Sequence, residues 1–73
     1  MVSIAKVDAR DLDKAMACLG RHNITASTES NRPKRPGIIV DEADATVARK
    51  FLGADSKERG YKLYNFIPPL AKN

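Results

Sequence analysis

Apolar and acidic positions recur twice along the chain with the same spacing. Residues 7–20 and 40–53 align without a gap, and six of fourteen positions are identical. The identical pairs are Val7/Val40, Asp8/Asp41, Asp11/Asp44, Ala15/Ala48, Leu19/Leu52 and Gly20/Gly53. A solenoid needs at least about three repeats. The pattern therefore indicates either one internal duplication or two strand-to-helix units with the same requirements, and both predict the same local structure.

Each copy has the features of a helix that begins at an acidic residue. Asp8 and Asp41 suit the N-cap, where a side-chain oxygen can accept hydrogen bonds from free backbone N–H groups. Asp11 and Asp44 suit the positive end of the helix dipole. The apolar stripes are Ala9, Leu12, Ala15, Met16 and Leu19 in the first helix, and Ala43, Val47, Ala48, Phe51 and Leu52 in the second.

Four strands are predicted around these helices, at residues 3–7, 24–29, 37–40 and 61–67. The third is short and entirely apolar after its glycine, which is typical of a central strand that is covered on both faces. The order β-α-β-β-α-β favours a ferredoxin-like α+β sandwich with both helices on one face of the sheet. A dimer in which each sheet is completed by a neighbouring chain is an alternative. Residues 1–67 are expected to form a single domain, followed by a short tail at 68–73.

The predicted breaks fall at glycines and prolines. Gly20 and Gly53 are expected to end the two helices in left-handed conformations. Residues 30–36 contain two prolines and are predicted to form a loop, and residues 54–60 a second, polar loop. With the helices parallel, the acidic clusters at residues 8–13 and 41–44 would lie at one end of the molecule and make it dipolar.

Two runs carry a resemblance to known proteins: L-G-R-H-N-I-T-A at residues 19–26 and I-I-V-D-E-A-D-A-T-V-A-R-K-F-L at residues 38–52. This pattern resembles small bacterial signal-transducing domains, whose fold is similar to the ferredoxin-like fold of nitrogen-regulatory proteins. The chain has Asn23-Ile24 where that group usually has Gly-Ile, and the group lacks a matching basic loop. The resemblance implies the fold and carries over no functional residue.

Composition and charge exclude several classes of protein. Thirteen basic and nine acidic residues give a net charge of +4, which favours binding to nucleic acid or to an acidic protein surface. A single cysteine, Cys18, excludes a disulfide framework and fits a reducing compartment. The chain has no run of about 20 apolar residues, so we expect no membrane span and a cytoplasmic location.

The residues that could support catalysis or metal binding are few. Cys18 and His22 are four positions apart, which would place two metal ligands on one helix face, but a structural zinc site needs four ligands. Cys18 also lies near a helix C-terminus, where a reactive thiolate is not stabilised. We therefore predict no catalytic residue, no metal and no cofactor, and expect that the protein is not an enzyme.

The most distinctive chemistry lies in the proline-bounded loop and in the last strand. The run R-G-Y-K-L-Y-N-F at residues 59–66 is similar to the third-strand motif of RNA-recognition domains, which stack bases on aromatic side chains. Here it falls on the fourth strand, with Leu63 where a stacking aromatic is expected. The predicted partner-binding residues are Arg32, Lys34, Arg35, Arg59, Tyr61, Lys62, Tyr64 and Phe66.

Two functional hypotheses follow from these features. The first is a small non-enzymatic regulator or inhibitor that docks on the acidic surface of a larger machine. By analogy, phage- or plasmid-encoded modulators of a host RNA polymerase or nuclease have this profile. The alternative is a nucleic-acid-binding module that uses the basic loop, with an affinity that falls steeply with salt. An interface with aromatic and arginine anchors would instead fail when those side chains are removed.

Overall fold

The structure is a computed structural model that describes residues 1–29 and 33–69. The strands are β1 (Val2–Val7), β2 (Ala26–Glu29), β3 (Gly37–Val40) and β4 (Leu63–Tyr64), and the helices are α1 (Leu12–Arg21) and α2 (Ala45–Arg59). A single 3-10 turn precedes each helix, at Ala9–Asp11 and at Glu42–Asp44. The predicted α+β class and the order of elements are confirmed.

All four strands form one antiparallel sheet in the order β2-β3-β1-β4. The apolar strand β3 is central, as predicted, but the helices cover only one of its faces, so the predicted coverage on both faces is wrong. Helix α1 joins β1 to β2, and these two parallel strands are separated by β3. Helix α2 joins β3 to β4, and these two parallel strands are separated by β1. The helices pack against each other and therefore cover the same face of the sheet.

The repeated residues form the centre of the core. Three of the six identical pairs are apolar and 0% exposed: Val7/Val40, Ala15/Ala48 and Leu19/Leu52. The acidic pairs also have equivalent geometry, because the carbonyl oxygens of Asp8 and Asp41 accept hydrogen bonds from the N–H groups of Asp11 and Asp44 at 2.8 and 2.9 Å. Asp8 and Asp41 occupy the predicted capping positions, but neither side chain makes a capping hydrogen bond.

Strand β1 contains a bulge that the alternation of apolar residues did not reveal. Ser3 pairs with Ile39 and Ala5 pairs with Ile38, so Ile4 has no residue opposite it. In a regular strand, consecutive side chains point to opposite faces. The bulge instead allows both Ile4 and Ala5 to be buried, each 1% exposed.

The predicted helix ends are wrong. Helix α1 continues through Gly20, and the chain turns at Asn23, which has a positive φ of 60°. Helix α2 continues through Gly53 and ends at Gly60, which has a φ of 75° and donates its N–H to the carbonyl of Ser56. Most of the segment predicted to be a polar loop, residues 54–60, is therefore helical.

The last strand is shorter than predicted. Only Leu63 and Tyr64 pair with β1, and the next residue, Asn65, has a φ of 51°. A left-handed residue cannot continue an extended strand, so the chain leaves the sheet at this point.

The predicted dipolar charge distribution is also wrong. Because β1 and β3 are antiparallel, their C-terminal ends lie at opposite ends of the sheet. Each helix starts just after one of these strands, so the two acidic clusters are separated rather than adjacent.

Candidate partner-binding surface

The described part of the basic loop is attached to the end of β1. The N–H of Val7 donates to the carbonyl of Pro36 at 3.1 Å, and the N–H of Ala9 donates to the carbonyl of Lys34 at 3.0 Å. These bonds continue the pairing of β1 with β3 beyond the first residue of β3. They fix the backbone of Lys34 beside the end of β1. Arg35 lies between the two bonded carbonyls and is held there as well.

The register of β4 places Tyr64 on the outer face of the sheet, away from the helices. Val7 is fully buried in the core and pairs with Leu63, whereas Lys6 pairs with Tyr64. Cross-strand partners share a face of the sheet. Leu63 therefore packs against the core, and Tyr64 lies beside Lys6 on the side that no helix covers.

Arg35, Lys62 and Tyr64 form a cluster that joins the loop to the last strand, and we call it the Tyr64 cluster. The Arg35 guanidinium carbon lies 3.7 Å from the centroid of the Tyr64 ring, and Lys62 Nζ lies 5.1 Å from it. Arg35 Nε also lies 3.7 Å from Asp8 Oδ1. The guanidinium is thus positioned by a carboxylate and by an aromatic ring, although the Arg35 side chain remains 48% exposed.

Two other predicted partner-binding residues belong to a buried polar cluster around Asp55, which is 4% exposed. Asp55 Oδ2 accepts a hydrogen bond from the Tyr61 hydroxyl at 2.7 Å. Asp55 Oδ1 accepts from Arg59 at 2.8 Å and from Arg21 at 3.2 Å. These bonds hold the last turns of α2 to α1 and to the segment before β4. Tyr61 is consequently engaged inside the molecule, whereas the Arg59 side chain is paired with Asp55 but remains 48% exposed.

The charges of this cluster are set by its hydrogen bonds. Burial acts to raise the pKa of Asp55, but hydrogen bonds from Tyr61 and Arg59 and the positive charges of Arg59 and Arg21 lower it below its ordinary value of 3.8. Burial and the hydrogen bond to Asp55 raise the pKa of Tyr61 above its ordinary value of 10.0. The carboxylate is therefore charged and the phenol neutral at pH 7.

Phe66 lines a groove between α2 and residues 61–69, with a volume of about 740 Å³. A Cβ atom on Gly53 would approach Phe66 Cζ to 3.1 Å, so the ring packs directly on the backbone of α2. Lys62 belongs to the Tyr64 cluster and also lines this groove. The predicted partner-binding residues therefore fall into different places. Close together lie Lys34, Arg35, Lys62 and Tyr64, and Phe66 lines the adjoining groove. Arg32 lies outside the described residues.

Sequence reasoning missed Arg49, Lys50 and Lys57, which line the same groove. They belong to α2, although the sequence pattern predicts a loop at Lys57. A helix that continues past Gly53 places all three along one side. These residues can therefore be grouped only when the end of α2 at Gly60 is known.

Cys18 and His22 are packed against α2. The Cys18 thiol donates to the Phe51 carbonyl at 3.6 Å, and the His22 ring stacks on the Phe51 ring with centroids 3.6 Å apart. Burial raises the pKa of the Cys18 thiol, which opposes formation of a thiolate. Residues 1–29 and 33–69 contain no group of three or more His, Cys, Asp or Glu side chains arranged to hold a metal ion.

Comparisons with known proteins find no matching protein-family model, curated protein or solved structure. Within the part of the chain that the structure describes, neither helix has the length and apolar character needed to cross a membrane.

Proposed function

We propose that the chain is a ferredoxin-like domain that acts as a non-enzymatic binding module. It docks through the Tyr64 cluster on an acidic surface of a larger protein assembly and regulates or inhibits that assembly. The strand order, the two interrupted parallel strand pairs and the placement of both helices on one face support the fold assignment.

The observation that carries the docking proposal is the arrangement of Arg35, which contacts Asp8 on one side and the Tyr64 ring on the other. Arginine and tyrosine are the residue types that contribute most to interface energy. A guanidinium that is already positioned loses less freedom when it binds a carboxylate than one on a mobile side chain does. Tyr64 belongs to the edge strand β4, where a partner has access to it.

The same arrangement favours a protein over a nucleic acid as the partner. Bases bind to exposed aromatic rings by stacking on an open ring face. In this structure Arg35 lies 3.7 Å from the Tyr64 centroid and occupies such a face. A base would have to displace the guanidinium, whereas an acidic side chain could bind to it in place.

The proposal is tested by capture from a lysate of the cells that encode the protein, with and without nuclease. We expect the wild type to retain a stoichiometric protein after nuclease treatment. Tyr64→Ala and Arg35→Ala should lose that protein, and Tyr64→Phe should keep most of it. Ser27→Ala is the matched control, because Ser27 is exposed on the same outer face but on the opposite edge strand.

Each contrary result has a definite meaning. If the captured material disappears with nuclease, the partner is a nucleic acid and the docking proposal is wrong. If Tyr64→Ala and Arg35→Ala retain the protein as well as Ser27→Ala does, the interface lies elsewhere on the molecule.

A further inference from the structure

The groove beside Phe66 has positive charges at both ends. Arg49 and Lys50 lie near one end and Lys57 near the other, about 10–12 Å apart along α2 at 1.5 Å per residue. Lys62 lines the opposite wall. Among the described residues that line the groove, none is acidic.

The cations of α2 that line the groove have no acidic partners. In residues 1–29 and 33–69, the ion pairs involve Arg10, Lys14, Arg21, Arg35 and Arg59. Within that same part of the chain, Arg49, Lys50 and Lys57 form none. Arg49 Nε is in addition the one buried side-chain nitrogen or oxygen of the described residues that lacks a hydrogen-bond partner. A buried donor without a partner is costly, so the described residues do not compensate Arg49 at this atom.

The lining of the groove also includes apolar side chains. Leu63 and Phe66 line it together with Pro68 and Pro69, and the Phe66 ring is held against the backbone at Gly53. An apolar side chain placed against them would lose part of its exposure to water, which is favourable in proportion to the area buried.

We propose that this groove binds an acidic peptide segment of a protein partner, with one or two apolar side chains flanked on both sides by carboxylates. The separated cations decide the chemistry of the occupant. A mononucleotide carries its charge at one end and would leave the cations at the other end unpaired. The inference rests on the proposed function in that the occupant is part of a protein.

The probe is a fluorescein-labelled peptide with Leu-Phe at its centre and three acidic residues on each side, and binding to the full chain is measured by fluorescence anisotropy. Arg49→Ala and Lys57→Ala should each weaken binding about tenfold, as expected for the loss of a charge-assisted hydrogen bond or ion pair. Arg10→Ala is the control, since it removes the same charge from a side chain that is 84% exposed and does not line the groove.

Two further experiments test the apolar residues that line the groove and the competing ligand. A peptide with Gly-Gly in place of Leu-Phe should bind much more weakly, and adenosine monophosphate should not compete at concentrations near the peptide's Kd. Phe66→Leu, checked for folding by circular dichroism, should weaken the Leu-Phe peptide and leave the Gly-Gly peptide unchanged.

The inference is wrong if Arg10→Ala weakens binding as much as Arg49→Ala, because the attraction would then be general. It is also wrong if the two peptides bind equally or if the nucleotide displaces the peptide. Failure of the peptide together with Tyr64-dependent capture from lysate would reject the groove and leave the docking function in place. Peptide binding without Tyr64-dependent capture would do the reverse.

Discussion

Asp55 is the residue through which three separate parts of the chain are joined. It belongs to α2, and it accepts hydrogen bonds from Arg21 at the end of α1 and from Tyr61 before β4. A buried carboxylate is tolerated only where donors surround it. Asp55 therefore fixes the position of the chain that leads into the Tyr64 cluster.

We expect Asp55→Asn to lower the free energy of unfolding by about 1–3 kcal/mol, the usual effect when buried donors lose a charged partner. The measurement is the midpoint of urea unfolding at pH 7. Glu58→Gln is the matched control, because Glu58 is an exposed carboxylate on the same helix and should change stability by less than about 0.5 kcal/mol. Equal effects from the two substitutions would contradict this role of Asp55.

The same variant should show a characteristic pH dependence. The pKa of Asp55 is lowered in the folded state, so the carboxylate contributes stability above its ordinary pKa of 3.8. That contribution is lost as the pH falls through the lowered pKa of the folded state. The free energies of unfolding of the wild type and Asp55→Asn should therefore differ at pH 7, and the difference should decrease as the pH falls below 3.8. A difference that persists unchanged to low pH would show that the charge is not responsible.

The Asp55 cluster was accessible in part to sequence reasoning. Asp55 and Arg59 have the i, i+4 spacing of a helical ion pair. This spacing indicates an ion pair only within a helix, and the sequence pattern predicts a loop at residues 54–60. Nothing local indicates that Tyr61 turns back toward Asp55, because that contact depends on the left-handed turn at Gly60.

At the scale of elements, α2 shows how tertiary contacts decide what a glycine does. Gly20 and Gly53 are equivalent positions of the repeat, and both lie inside helices. A Cβ atom at Gly20 would meet nothing within 4 Å, whereas one at Gly53 would press on Phe66. The two glycines are equivalent in the repeat, but the residue 33 positions before Phe66 is Pro33, so the first half has no equivalent aromatic side chain.

This difference gives a matched pair of substitutions. Gly20→Ala should raise the free energy of unfolding by up to about 1 kcal/mol, because alanine favours the helix. Gly53→Ala should gain less or lose stability, because Phe66 must move. Thermal unfolding of both variants provides the comparison. The close packing of Phe66 on α2 would be refuted if Gly53→Ala were stabilised as much as Gly20→Ala.

The elements predicted best are the first helix, whose apolar residues recur with helical spacing, and β3, which is apolar throughout after its glycine. Strand β3 has the predicted bounds, and α1 ends at Arg21, one residue after the predicted end at Gly20. The bulge at Ile4 and the early end of β4 at Asn65 follow from pairing and backbone conformation, which have no clear signature in the order of apolar residues.

At the scale of the whole molecule, the repeat corresponds to two equivalent strand–turn–helix units whose central strands pair with each other. The equivalent residues Val7 and Val40 lie at opposite ends of this pair and are both fully buried. Patterning predicts the units but not their relative direction, which is why the acidic clusters were wrongly placed together. The Tyr64 cluster could not be foreseen as a unit, since it depends on Arg35 reaching Tyr64 from the other side of β1.

We expect the chain to be a monomer in solution. Its Cα radius of gyration is 11.2 Å, and a folded chain of 73 residues has about 11 Å, so one copy is compact without help from another. Size-exclusion chromatography with light scattering should give a mass near 8.0 kDa at micromolar concentration. Twice that mass would support the alternative in which neighbouring chains exchange strands.

The central position of β1 also governs when the protein can acquire its structure during synthesis. β1 is made first, yet its two neighbours in the sheet, β3 and β4, follow only after one and two helices have been added. Native pairing on both sides of β1 therefore waits until the ribosome has released Tyr64. A nascent chain that stalls earlier exposes an incomplete sheet edge beside β1, which is the kind of surface that chaperones and proteases recognise.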